Sequence, residues 1–342
     1  MFGFYRTLLA LMVVFQHLGG VKTLGGYAVF GFYILSGYLM TLILHVSYKY
    51  SMTGFGKYAL NRFLRIYPIY WVSCLISVVI VLWLGPSYTT RYNNSIFLPD
   101  ALTSMLQNIF ITFTPKTRPR LLPPAWALTV ELFFYICIGI GMSKTKRLTI
   151  VWFSLSIVYT VIINLMGLDR VYKYYIIPAA SLPFSTGALL YHYKDKIIQV
   201  IPFLRSWVMP AILFILVLFN YLVSYKLDIL ETIGFYINYL LQALIVASLI
   251  DRPLLPFVSR QMDKLLGDFS YPIYLIHFQG GLILLGMGIG LKRGELLFAV
   301  VSLPVILFLS WCLTRFIEQP IENIRKKVKT MKRFHPTSES SR

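Results

Sequence analysis

Negative charge, cysteine and polar linkers are all scarce in this sequence, and each shortage removes a class of protein. Only 13 of 342 residues are Asp or Glu, against 32 Lys and Arg, and no pair of His, Cys or carboxylate residues stands at a metal-ligand spacing. Cys74, Cys137 and Cys312 all fall in apolar stretches. They offer no disulfide framework and read as small core residues. Glycine-rich phosphate loops are absent, as are repeats of solenoid period and the two-half symmetry many transporters show. No linker or charge run is long enough to set a soluble domain apart.

Apolar residues are what the chain has in excess, at 57% of the total and a mean hydropathy of +0.69. Runs of about 17–25 apolar residues, the length that crosses a hydrocarbon core of ~30 Å, recur ten times. They cover about 4–20, 26–46, 66–85, 125–142, 148–167, 174–192, 207–224, 231–250, 271–290 and 296–316. A shorter, more polar segment, Leu98–Phe113, reads as an interfacial or re-entrant helix. The predicted fold is an all-α membrane protein, a polytopic bundle of about ten transmembrane helices. One transmembrane domain over 1–320 precedes a basic cytoplasmic tail over 321–342.

The net charge of +19 is organised by topology. With the N-terminus inside, 22 Lys and Arg lie on the inner side and 10 on the outer. That asymmetry obeys the positive-inside rule and puts both termini in the cytoplasm. The run Arg325–Arg333 then anchors on anionic lipid, and nucleic acid is not a partner. The first span, close to the starting Met, reads as a retained signal anchor.

Charged and polar residues inside these runs are the candidate site. Arg6 and His17 are eleven residues apart, so they leave one helix on the same face, separated by roughly 16 Å of rise. An intramembrane ionisable residue implies a polar interior, and an imidazole accepts protons near neutral pH. Ser36-Gly37 in the second run suits close helix packing. Arg62 and Arg65, spaced i, i+3, present two guanidiniums that fit phosphate or anchor the inner boundary. Pro68 is placed near the start of that helix. Trp126 opens the fourth run as a belt residue, with Glu131 about 7–9 Å further in, at a depth comparable to His17. Ser270, Tyr274 and His277 form one polar stripe near the start of the ninth run. Glu231, Asn238 and Gln242 form another in the eighth, read as structural hydrogen bonding.

Taken together, Arg6-x10-His17, Phe32-Tyr-Ile-Leu-Ser36-Gly37, Arg62-x-x-Arg65-Ile-Tyr-Pro68, Trp126-x4-Glu131 with Phe134-Tyr135, and Ser270-Tyr271-x-x-Tyr274-Leu-x-His277 resemble the acyltransferase-3 family of integral-membrane acyltransferases. The resemblance reaches from the first run to Glu318-Gln-Pro320. It departs at Gln16, where a second histidine is common, and at Ala127 and Leu132. The resemblance implies an O-acyltransferase of a bacterial inner membrane. It implies transfer of an acyl group, most often acetyl, from cytoplasmic acyl-CoA to a hydroxyl of an extracytoplasmic glycan or glycolipid. Acyl-CoA is then a co-substrate and no cofactor stays bound. Under this reading His17 is the general base and Glu131 orients its ring. Arg6, Arg62 and Arg65 serve the donor, while Ser36, Trp126, Ser270, Tyr274 and His277 support the site. Ser270 or Tyr274 would stabilise the oxyanion. A secondary transporter or flippase is the alternative, and a non-catalytic scaffold a third.

Overall fold

The computed structural model describes residues 2–250 and 258–330, and every regular element among them is a helix. In chain order they are α1 Phe2–Gly19, α2 Leu24–Ile43 with a π turn to Tyr48, α3 Met52–Leu84, α4 Pro86–Tyr92, α5 Leu102–Phe110, α6 Trp126–Gly139 and α7 Lys146–Leu165. There follow α8 Ser181–Val200, α9 Met209–Lys226, α10 Ile233–Leu249, α11 Arg260–Gly286, α12 Leu296–Leu313 and α13 Gln319–Thr330. Six segments are long and apolar enough to cross a bilayer: Phe2–Gly19, Leu24–Tyr48, Met52–Leu84, Lys146–Leu165, Met209–Lys226 and Leu296–Lys329. Two shorter apolar stretches are Pro123–Gly139 and Ile233–Leu249.

Helices α1, α2 and α11 form the centre, and small residues let them touch. Gly3 meets α11 so closely that a Cβ there would sit inside the Asp263 backbone. The Asp263 carboxylate accepts the Phe4 N–H at 2.9 Å and thereby caps α1. A Cβ on Gly37 would lie 2.1 Å from the Phe184 carbonyl oxygen, so α2 and α8 pack backbone to backbone. Asn238 and Gln242 of α10 bond Tyr27, each other and the Tyr5 hydroxyl of α1. That predicted stripe ties helices together.

Each apolar run falls on a helix, but several boundaries differ from those predicted. Helix α3 starts at Met52 and spans about 50 Å. Pro68 therefore sits in its interior, and Arg62 and Arg65 are helical residues. Helix α11 starts at Arg260, which moves Ser270 from a helix start to the middle of one. The α6 helix has 14 residues, about 21 Å, too few for a hydrocarbon core.

The segment between α4 and α6 folds back along α3 and precedes the short α6. Tyr70, 14 residues or about 21 Å from the end of α3, donates to the Asn108 carbonyl at 2.7 Å. Tyr67 and Trp71 donate to the Phe110 and Ile109 carbonyls, so the end of α5 lies against the middle of α3. The returning chain is irregular, yet Thr129 bonds Ile111, while Ser77 and Gln279 both bond the Leu121 carbonyl. Non-helical backbone persists at such depth only when satisfied in this way.

Candidate active site

Apart from Trp126, the nominated residues separate into two sites along the axis, one at each end of α1. At the end where α1 stops, His17 lines a cleft of about 620 Å³ with Gln16, Gly20, Tyr92 and Arg293. Gly20 takes φ +72, and a Cβ there would lie 2.5 Å from the Gly294 carbonyl oxygen. Only glycine meets both demands. The Gly294 N–H and the Arg293 Nε donate to the Leu18 and His17 carbonyls at 2.7 and 2.8 Å. Those bonds satisfy the open carbonyls at the end of α1 and fix His17 in place. Arg293 also bonds the Tyr92 carbonyl and lies over the Tyr92 and Phe278 rings. Burial lowers its pKa, opposed by Tyr92.

The partner of His17 is His277. The two rings lie edge to edge in nearly parallel planes, 4° apart with centroids separated by 5.1 Å, and His17 Nδ1 lies 2.9 Å from His277 Nε2. His277 Nδ1 lies 2.8 Å from the Tyr274 carbonyl oxygen, which can only accept. In neutral rings His277 therefore carries its proton on Nδ1 and accepts at Nε2. His17 must donate from Nδ1, which leaves its Nε2 as an unprotonated base. The carbonyl, His277 and His17 perform the tautomer selection that an acidic residue performs in a catalytic triad. Gln16 turns away from this pair, and its side-chain oxygen accepts the Gly25 and Gly26 N–H groups and caps α2.

Among the described residues Glu131 bonds other groups than His17. Its carboxylate accepts from the Ser36 hydroxyl at 2.7 Å and from the Tyr135 hydroxyl. Ser36 lies 12 residues, about 18 Å, from the start of α2, whereas His17 lies two residues, about 3 Å, from the end of α1. The two sites are thus about 15 Å apart along the axis. The expectation of equal depth assumed that α6 begins level with the end of α1, whereas Glu131 lies beside Ser36 in the middle of α2.

Glu131, Ser36, Ser270, Tyr274, Arg6, Arg62 and Arg65 line a narrow central cavity of about 110 Å³. Arg6, Arg62 and Arg65 also line a mouth of about 370 Å³ with Arg325 and Lys329 of α13. The two arginines of the i, i+3 pair differ. Arg65 is ion-paired to Glu318, with Asp268 at 3.8 Å. Among the described residues Arg62 bonds only the neighbouring Asn61 amide, at 2.9 Å, and its Nε is buried without a partner. Ser270 donates to the Gly267 carbonyl and Tyr274 to the Pro124 carbonyl, both at 2.7 Å. Neither proton is available to an oxyanion in this conformation. Trp126 lines neither cavity. It packs on Tyr174 and Tyr175 in a third cleft with Arg118 and Arg120.

Among the described residues, none lines both the central cavity and the His17 cleft. The Phe32 and Tyr274 rings, with centroids 6.0 Å apart, both line the central cavity. Sequence reasoning missed Asp268, Glu318, Tyr135, Arg293 and the α13 cations. Only Tyr135 carried a readable signal, standing i+4 from Glu131 on one helical face.

Residues 2–315 match the family model described as an acyltransferase domain. The O-acetyl transferase of Shigella phage Sf6 is 23% identical over 343 residues, covering 92% of this chain and 93% of its own length. No solved structure gives a significant match. With the family model spanning all the helices from α1 to α12, the chain belongs to the acyltransferase-3 family of membrane-helical acyltransferases.

Proposed function

We propose that this protein moves an acetyl group from cytoplasmic acetyl-CoA to a hydroxyl of an extracytoplasmic carbohydrate. In this reading nine helices (α1, α2, α3 and α7 to α12), with α6 and the segment before it as a tenth crossing, span a bacterial inner membrane with both termini cytoplasmic, so the arginine-lined mouth faces the cytosol. The name of the phage relative favours acetyl as the group and a hydroxyl as its acceptor.

The observation that carries the reading is the hydrogen-bond relay from the Tyr274 carbonyl through His277 to His17. It keeps a free imidazole nitrogen in the wider of the two clefts, on the side opposite the arginines. Arg62, with Arg325 and Lys329, offers cations to the nucleotide phosphates. Arg65 is neutralised and shapes the mouth. The central cavity is narrow enough to pass only a slender arm, which suits pantetheine. The thioester reaches His17 when the Phe32 and Tyr274 rings that line the cavity move apart. His17 Nε2 then takes the hydroxyl proton as the oxygen attacks the thioester carbon. The carbon–sulfur bond breaks, and the thiolate, a good leaving group with a thiol pKa near 8.5, takes the proton back from His17. Glu131, held by Ser36 and Tyr135, balances the arginine charge in the passage.

Mass spectrometry of surface glycans with and without the gene tests the activity: a lost mass of one acetyl per modified sugar is expected. His17→Ala, at normal membrane levels, should lower transfer by about 10²–10⁴-fold or more. Acetylation that survives in this variant removes His17 from the chemistry.

A further inference from the structure

The cleft at the start of α6 belongs to neither the His17 cleft nor the central cavity. Its volume is about 550 Å³, and its walls are the returning chain at 113–120, the first turn of α6 and residues 171–178. Arg120 in its wall is only 9% exposed, and its Nε has no hydrogen-bond partner. Its main-chain N–H is bonded, to the Ser95 carbonyl at 2.8 Å, but among the described residues no side-chain bond or ion pair engages the guanidinium. No carboxylate among the described residues lines the cleft, and the other charged residue in its wall is the like-signed Arg118. Three other buried or half-buried cations are answered, Arg65 by Glu318, Arg170 by Glu231 and Arg293 by two carbonyls and two rings, whereas Arg62, whose Nε is likewise buried without a partner, lines the mouth assigned to the donor phosphates. A buried guanidinium without a counter-charge destabilises its own fold, so its place here points to a ligand that brings the charge.

We propose that this cleft binds the carboxylate of an acidic sugar, as a second contact for the acceptor outside the reacting hydroxyl. The assignment of this face to the acceptor rests on the acyl-transfer reading above. The planar fork of Arg120 matches a carboxylate. Trp126 and Tyr175, with ring centroids 4.8 Å apart, form an apolar wall for the C–H face of the sugar. A phospholipid headgroup shares the anionic chemistry but not the need for that wall.

The test is thermal unfolding of the purified full chain in a neutral, sugar-free detergent, with glucuronic acid, glucose or dioleoylphosphatidylglycerol added. Glucuronic acid near saturation should raise Tm by on the order of 2 °C or more, and glucose should not. Arg120→Met should abolish the response and, without ligand, melt no lower than the wild type, which a merely structural arginine would not allow. Trp126→Leu should weaken the glucuronate response while leaving Arg120 in place, which gives a second variant should Arg120→Met fail to fold. The proposal is overturned by a response to phosphatidylglycerol alone, by a glucuronate response that survives in Arg120→Met, or by no response to glucuronic acid. Because the readout involves no turnover, His17→Ala should bind as the wild type. Acetylation surviving in that variant would sink the acyl-transfer mechanism and leave this site standing.

Discussion

Arg62 and Arg65 stand one helical turn apart in the same motif, yet the fold treats them in opposite ways. Arg65 meets Glu318 and Asp268, two of the chain's 13 acidic residues. Arg62 meets only an amide among the described residues. The same contrast separates the ends of the bundle. At the mouth, carboxylates from α11, the end of α12 and α13 neutralise part of a cationic cluster. At the His17 end, Arg293 has carbonyls and aromatic faces, and the Arg120 guanidinium has no described partner. In a chain with a net charge of +19, counting cations says little about ligand binding. Where the few carboxylates sit decides which cations are structural and which remain open.

The sharpest way to break this comparison is Glu318→Ala. It leaves Arg65 buried with one carboxylate at 3.8 Å, and removing one member of a buried pair costs about 3–5 kcal/mol. Thermal unfolding in detergent should show a large drop in Tm and a lower yield of folded protein. A variant as stable as the wild type would mean that Arg65 is not held by Glu318, and the two arginines would become equivalent.

Next in size is His277→Ala. It keeps His17 but loses the acceptor for its Nδ1 proton, so kcat should fall by about 10–100-fold, the usual effect of losing an orienting partner. His277→Gln can still accept that proton through its side-chain oxygen and should recover part of the rate. Equal rates in the two variants would show that His277 merely packs and does not select the tautomer.

Arg62→Ala has a smaller effect and the opposite signature from Glu318→Ala. No ion pair is lost, so Tm should stay within the range of ordinary surface substitutions. The donor KM should rise by about 10-fold, the value of one charge-assisted hydrogen bond, with kcat little changed. A fall in Tm with unchanged KM would put Arg62 in the structural class beside Arg65.

Much of this was legible in the sequence, for identifiable reasons. Helix positions follow from apolar runs, and the Arg6–His17 relation from helical period alone. What stayed hidden depends on how deep each helix begins. Nothing in Trp126-x4-Glu131 says that α6 starts well inside the bundle, because the cause lies in a segment folded back along α3 whose polar backbone is satisfied by Tyr67, Tyr70 and Gln279 from elsewhere. Once α6 is displaced inward, Glu131 joins the arginines and His17 must find another partner. His277, read as a stripe residue, is that partner through a contact 260 positions away in the chain. The run from Arg325 reads as an anchor because composition cannot reveal that Asn61 of α3 holds the first two turns of α13 over the mouth.

The smallest effect belongs to that docking. Lys264 of α11 pairs with Glu322 of α13 at 3.0 Å, but the lysine side chain is 58% exposed. Exposed pairs of this kind contribute about 0–1 kcal/mol and weaken with salt. Asn61 and Arg325, by contrast, exchange bonds of 3.2 and 3.3 Å in a part-buried position. Lys264→Met should therefore leave both Tm and donor KM nearly unchanged, whereas Asn61→Ala should raise KM by freeing α13 and the cations it carries. If Lys264→Met instead raised KM as much as Asn61→Ala, the mouth would be held together by solvent-exposed charge. The distinction between buried pairs that set structure and exposed pairs that do not would then fail at the one place where both act on the same helix.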